Sequence, residues 1–136
     1  MRESWFPGRL HVLTESECLE LLERTQVGRV AYCDEAFPVI LPVNYVMDAG
    51  TVVFRTSPYS MLAQHLYRGH AAFQIDEIDE YTQSGWSVLV RGDATFVESA
   101  DLPAADTRPA PWVEGARPFH VRITPDEITG RRLVPT

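Results

Sequence analysis

The chain has 136 residues, the length of one domain, and its 45% hydrophobic, 10% aromatic and 23% charged residues are ordinary globular usage rather than that of a disordered segment. Nineteen acidic residues against 12 basic ones leave a net charge of −7 with no basic run, which excludes nucleic acid and anionic membrane surfaces as expected partners, since both are bound through clustered cations. All 12 basic residues are arginine, so a Schiff base to lysine, and with it a covalently held pyridoxal cofactor, is excluded.

Residues 1–12 read as an N-terminal arm in which Trp5, Phe6 and Pro7 offer apolar groups without a period. The sequence shows no signal-peptide core and no run of the roughly 18 apolar residues a membrane span needs, so a soluble cytoplasmic protein is expected. Thr14 and Glu17 have the spacing of a capping box. Cys18, Leu19, Leu21 and Leu22 follow at helical spacing to about Thr25, predicting a short amphipathic helix that covers an open sheet. Cys18 and Cys33 form no CxxC pair and read as two small buried hydrophobes.

From Gly28 the period becomes two. Gly28 to Cys33 predicts a strand and Asp34-Glu35-Ala36 a turn. Pro38 to Met47 predicts a second strand, with Val39, Leu41, Val43 and Tyr45 on one face and Ile40, Asn44 and Val46 on the other. Pro42 in its middle implies an edge position or a break in the ladder. Asp48-Ala49-Gly50 reads as a hairpin turn into a third strand, Thr51 to Thr56. Ser57 as N-cap and Pro58 at the first helical position open a second helix, with Tyr59, Leu62, Ala63 and Leu66 on its inner side and Gly69 at its end.

His70 to Asp76 predicts a fourth strand with Ala71, Phe73 and Ile75 inside, followed by a polar connection to Gln83. Gly85 to Val97 is the longest predicted strand, with Gly92 marking a bulge or bend. Residues 99–118, which hold Pro103, Pro109, Pro111 and Pro118, read as a loop or lid, with one helical turn near Leu102 to Asp106. Phe119 to Thr124 predicts a last strand with Phe119, Val121 and Ile123 inward, and Pro125 to Thr136 a polar, turn-like tail. Six strands, two short helices and tight hairpins, all within residues 1–136, predict a single mainly β domain. Its architecture is a small barrel with helical cover, because closure removes sheet edges. Long crossover helices, GxGxxG and GxxxxGK[ST] are all missing, which argues against a doubly wound nucleotide-binding fold.

The chemistry concentrates at Phe54 to Ser60. A strand ends there and a capped helix begins, so free backbone N–H groups converge on the positive end of a helix dipole. Arg55, Thr56, Ser57 and Ser60 add side-chain donors, and together they suit a phosphate. On spacing alone, the alternative is that Ser57 only caps the helix and Arg55 is a solvated strand residue. His11, His65, His70 and His120 lack metal-ligand spacing, so no metal is expected. Ser87 lies outside any GxSxG elbow, and Asp76, Glu77, Asp79 and Glu80 read as a solvated loop. Trp86 is either core or the flank of a flat ring system. No acid–base pair stands out, and no catalytic residue is assigned.

The ordered set Val27-Gly28-Arg29-Val30-Ala31, Pro38 through Tyr45, Val53-Phe54-Arg55-Thr56, Ala72 through Asp76 and Gly85 through Gly92, behind a capped helix with Leu21-Leu22, resembles the pyridoxamine 5′-phosphate oxidase-like flavin-nucleotide-binding proteins. The resemblance covers about residues 13 to 98 and implies a split β-barrel. It further implies a homodimer that holds flavin mononucleotide (FMN) in clefts between two barrels and acts as an oxidoreductase on a small molecule. The phosphate then falls on Arg55, Thr56, Ser57 and Ser60, and the ring along Val43, Asn44 and Tyr45 with contacts from Trp86 and Ser87. Relatives often carry a Gly and then a Lys at the start of the second helix, where this chain has Tyr59 and Met61. It also lacks the C-terminal substrate motif of vitamin B6 oxidases. Two alternatives share the fold: a deazaflavin-dependent reductase, and a non-catalytic dimer that binds a flavin or haem.

Overall fold

The computed structural model describes residues 8–56, 69–97, 102 and 119–135. The predicted second helix, the loop at 99–118 apart from residue 102, and Trp5, Phe6 and Pro7 lie outside the described residues. Seven strands and one helix are found among the described residues. They are β1 (Arg9–Val12), α1 (Glu15–Arg24), β2 (Val27–Cys33), β3 (Pro38–Asp48), β4 (Thr51–Thr56), β5 (His70–Asp79), β6 (Ser84–Phe96) and β7 (Phe119–Val134). All pairings are antiparallel, in the order β1-β7-β4-β3-β2-β5-β6, and a further β6–β7 pairing closes six of the strands into a barrel. β7 makes the closure: β6 runs along one edge, while β4 takes Phe119 to Ile123 on the other and β1 takes Arg131 to Val134.

The period-two pattern decides which side chains fill the barrel. Val30, Phe54, Phe73, Ile75, Val88, Val90, Val121 and Ile123 are fully buried and point inward from five strands. The helix α1 closes this interior with Cys18, Leu21 and Leu22, which join the same core cluster. Its start is the expected capping box: Thr14 Oγ1 accepts from Glu17 N–H at 3.1 Å and Glu17 Oε1 accepts from Thr14 N–H at 3.0 Å. The Thr14 N–H, and after it the Thr14 side chain, hold the Glu17 carboxyl below its usual range. Gly130 of β7 lets α1 approach closely, since a Cβ there would lie 2.6 Å from Cys18 Sγ.

Two punctuation marks in the sequence have structural causes. Ala49 and Gly50 both take positive φ (50° and 79°), the geometry of the two-residue turn that joins Asp48 to its partner Thr51. Tyr45 N–H donates to Gln26 O at 3.0 Å, and bonded pairs alternate along an antiparallel ladder. Pro42, opposite Arg29, therefore falls in a pair that exchanges no backbone bond. β4 reaches only Tyr45 to Asp48 of β3, so among the described strands none faces the proline nitrogen.

Several expectations need correction. The arm is partly ordered, because Arg9–Val12 pairs with the end of β7 as β1. The polar tail is not turn-like: β6 pairs with it to Leu133, which makes β7, at 16 residues, longer than β6 at 13. The connection after Asp76 begins as strand, since β5 continues to Asp79 opposite Ser84, and only Glu80 to Gln83 form the turn. Among the described residues the barrel has the six strands the sequence predicts, and β1 adds a seventh beside β7. Cys33 is exposed at the end of β2, and only Cys18 is buried.

Candidate functional site

β4 carries Val52 and Phe54 into the core, which turns Arg55 to the outer side of the barrel, where it is half-buried. Its register partner on β7 is His120, and that of Thr56 is Phe119. On the other flank, Tyr45 pairs with Phe54, so Asn44 stands alongside Arg55 on the same outer side. Asn44, Arg55 and His120 thus form a polar row across three strands. His120 is 9% exposed, the one buried polar residue of the described chain. Two residues further along β7, the Arg122 guanidinium lies 2.9 Å from Asp48 Oδ2 and also donates to Thr51 Oγ1. The row can offer an amide, a guanidinium and an imidazole to an anion at the end of β4. Ser57 and Ser60, which the sequence assigns to the same corner, lie outside the described residues.

Val43 and Tyr45 point the other way. Both side chains are in the core. The Tyr45 hydroxyl donates to Leu22 O at 2.7 Å, and its ring meets Phe73 edge-on at 4.6 Å. Burial pushes the Tyr45 phenol well above its ordinary pKa, so it is a neutral donor that anchors α1. Along this strand, Asn44 is the residue between them whose side chain faces outward.

Trp86 and Ser87 sit elsewhere on the barrel. Trp86 packs against the core from β6, and Ser87, on the outer face, stands between Asp76 of β5 and Arg131 of β7. Both line a cavity of about 690 Å³ that is walled by Leu10, Ile78 and Leu133 and edged by Arg131. Gly85 forms part of its floor, and a Cβ there would lie 2.5 Å from Glu77 O. From Asn44 the outer face passes over Val27 and Asp76 to reach Ser87, three strand spacings or about 14 Å. Of the nine residues predicted to hold a ligand, seven are described, and they divide: Asn44 and Arg55 share the outer side, Thr56 follows Arg55 at the end of β4 on the alternate face, Trp86 and Ser87 form a second group, and Val43 and Tyr45 turn inward.

A second cavity of about 760 Å³ lies near Cys33, His70 and Arg91. In its lining, His70 Nδ1 lies 2.8 Å from Asp93 Oδ1 and Arg91 is bonded to Glu127. Among the described residues no three His, Cys, Asp or Glu side chains gather to hold a metal ion, and no helix is long and apolar enough to cross a membrane. Sequence reasoning missed His120 and Arg131. The signal for both was their register against β4 and β6, which a single strand read alone does not reveal.

Comparison with known proteins gives a consistent result. The sequence profile of the pyridoxamine 5′-phosphate oxidase family matches residues 14–132. Protein Rv0080 of Mycobacterium tuberculosis, itself uncharacterized, is 34% identical over 129 residues, covering 90% of this chain and 84% of that protein. The FAD binding protein from Mycobacterium smegmatis superposes with a TM-score of 0.77 at 34% identity, covering 90% of this chain and 98% of that one. A FAD-binding protein from Mesorhizobium loti shares the fold at a TM-score of 0.75 and 19% identity, over 93% and 98% of the two chains.

Proposed function

The chain belongs to the pyridoxamine 5′-phosphate oxidase family, and from that premise we propose that it binds a flavin nucleotide through the outward polar row at the end of β4. The observation that carries this reading is the half-buried Arg55 beside Asn44 and the buried His120, in a chain of net charge −7. A cationic, donor-rich row on an acidic protein suits a ligand whose own charge is concentrated in a phosphate. Arg55 and Thr56, with Ser57 and Ser60, hold the phosphate of FMN. The ring lies along β3 from Val43 to Tyr45, touching backbone and the Asn44 amide, because the flanking side chains are committed to the core.

Trp86 and Ser87 complete the site from a second copy of the chain. Support comes from the roughly 14 Å that separates them from Asn44 on one barrel, too far for both groups to grip one end of the same ring. It also comes from exposed apolar side chains on the outer face, where Ile40 and Val27 are 66% and 42% exposed. The flavin supplies hydride transfer to or from a small molecule, while the protein orients it and limits water access. A second reading, FAD in place of FMN, is favoured by the 34% identical M. smegmatis protein, which is a FAD binding protein.

The visible absorption spectrum of the purified protein, followed by titration of stripped protein with FMN, FAD and a deazaflavin cofactor, tests the proposal. Yellow protein, or saturable uptake of FMN or FAD, supports it. Uptake of deazaflavin alone selects the reductase alternative, and colourless protein that takes up none of the three overturns flavin binding. Stopped-flow reduction by a nicotinamide cofactor then separates an oxidoreductase from a protein that stores or senses its flavin.

A further inference from the structure

Cys33 has surroundings that its place in the sequence does not show. It is exposed at the end of β2, whereas Cys18 is buried in the core. β2 and β5 pair from Arg29 and Gln74 to Ala31 and Ala72, and two residues beyond that last pair stand Cys33 on one strand and His70 on the other. Tyr32 and Ala71, the residues between, are buried in the barrel, so alternation turns Cys33 and His70 to its outer side. There both line the cavity of about 760 Å³, with Ala31 and Ala72 beside them. His70 is the register partner of Asp93 on β6, and its Nδ1 lies 2.8 Å from Asp93 Oδ1. A carboxylate at Nδ1 fixes the tautomer that leaves Nε2 as a proton acceptor. A thiol, an imidazole and a carboxylate thus follow one another across three adjacent strands, in the order of nucleophile, base and orienting group.

Among the described residues, the other charges of this cavity come from β6 and β7: Arg91, bonded to Glu127, and Asp126. β3 contributes the uncharged Pro38 opposite Cys33, and the β2–β3 turn holds Glu35 and Asp34, whose Oδ1 accepts from the N–H groups of Ala36 and Phe37. Both signs of charge on one wall suit a ligand that carries a carboxylate and an ammonium group. A departing thiolate needs no oxyanion pocket, only a proton, and a base that has just taken one can return it. Pro38 and Asn44 are six residues apart on β3, or about 20 Å, and nothing here depends on the flavin reading.

We infer that Cys33, with His70 as its base and Asp93 as the positioning residue, is a site of thiol–disulfide exchange with small zwitterionic disulfides. The Cys33 sulfur attacks one sulfur of the disulfide RSSR, the S–S bond of RSSR breaks, and Cys33–S–S–R forms. The thiol proton passes to His70 Nε2 and then to the leaving thiolate, which departs as RSH, so the disulfide is the sole oxidant.

The intact mass of reduced wild-type protein, followed over time with cystine at pH 7, reads the adduct. One half-cystine per chain is expected, with none on Cys33→Ser because Cys18 is buried. His70→Asn slows adduct formation at least about tenfold at pH 7, a modest share of what a positioned base supplies. The gap closes towards about pH 9.5, where free thiols ionise without a base. Asp93→Asn gives a smaller loss with the same pH dependence. Relative to their rates with a free small thiol, cystine reacts faster with the wild type than uncharged 2-hydroxyethyl disulfide does. An adduct that fails to form or forms on Cys18, a His70→Asn protein as fast as the wild type at pH 7, a gap unchanged at pH 9.5, or no preference for cystine overturns the inference.

Discussion

At the scale of single residues, neighbours on one strand have unrelated duties because alternation sends them to opposite faces. Asn44 and Tyr45 show this. Asn44 faces outward beside Arg55, while Tyr45 spends its hydroxyl on Leu22 O inside the core. Tyr45→Phe removes a buried hydrogen bond and is expected to cost about 1–2 kcal/mol in urea unfolding. Burial holds the folded phenol above its ordinary pKa, whereas an unfolded tyrosine ionises near about pH 10. The stability contributed by the neutral phenol is thus complete below that pH and is lost as pH rises above it. Urea midpoints between about pH 8 and 11 should fall less steeply in Tyr45→Phe than in the wild type, with Tyr32, whose phenol is also raised by burial, supplying part of the remaining slope. Arg55→Ala should weaken FMN by about 1.5–3 kcal/mol, the range for a charge-assisted hydrogen bond, and leave riboflavin unchanged in the same fluorescence titration. Equal weakening of both ligands would move the phosphate away from Arg55.

At the scale of elements, the readable parts were those whose signal is local. The Thr14–Glu17 capping box, the Asp48-Ala49-Gly50 turn and the alternation of Ala71, Phe73 and Ile75 each carry their cause within a few residues, and each is found where the sequence places it. The bulge at Gly92 was legible for the same reason, and it appears as a register shift between Arg91 and Gly92. What failed was strand structure imposed from outside. Pro125 to Thr136 is largely polar, holds Gly130 and reads as a turn-like tail, yet β6 pairs with it from Pro125 to Leu133. Strand propensity reports the fit to a pleated neighbour more than a preference of the chain itself, so a segment whose partner lies thirty or more residues away is poorly marked. The short β1 escaped notice because Arg9–Val12 is only four residues long and its partner, the end of β7, lies more than 100 residues away. Gly92 also yields a prediction: a Cβ there would lie 1.9 Å from Thr124 O, a backbone atom that cannot swing aside. Gly92→Ala should destabilise the barrel by about 1–3 kcal/mol through overpacking, measured as a lowered urea midpoint at unchanged slope.

At the scale of the whole molecule, the candidate site was legible only in part. The proposed anion corner at Arg55 and Thr56 is argued from where a strand ends. The buried His120 opposite Arg55 depended on a pairing between distant strands, and the separation of Trp86 and Ser87 from Asn44 depended on barrel closure. That separation makes assembly part of the account. Light scattering should report a dimer, and a flavin-loaded monomer would contradict a cleft completed by a second copy. The central claim is that a phosphate, held at the end of β4, ties a flavin to this barrel. Side-by-side equilibrium titration of the wild-type protein with FMN, FAD and riboflavin tests it most directly. The account predicts that FMN or FAD binds at least about tenfold more tightly than riboflavin, equivalent to 1.4 kcal/mol or more from the phosphate contacts. Riboflavin bound as tightly as both nucleotides, or none of the three bound at all, would contradict it.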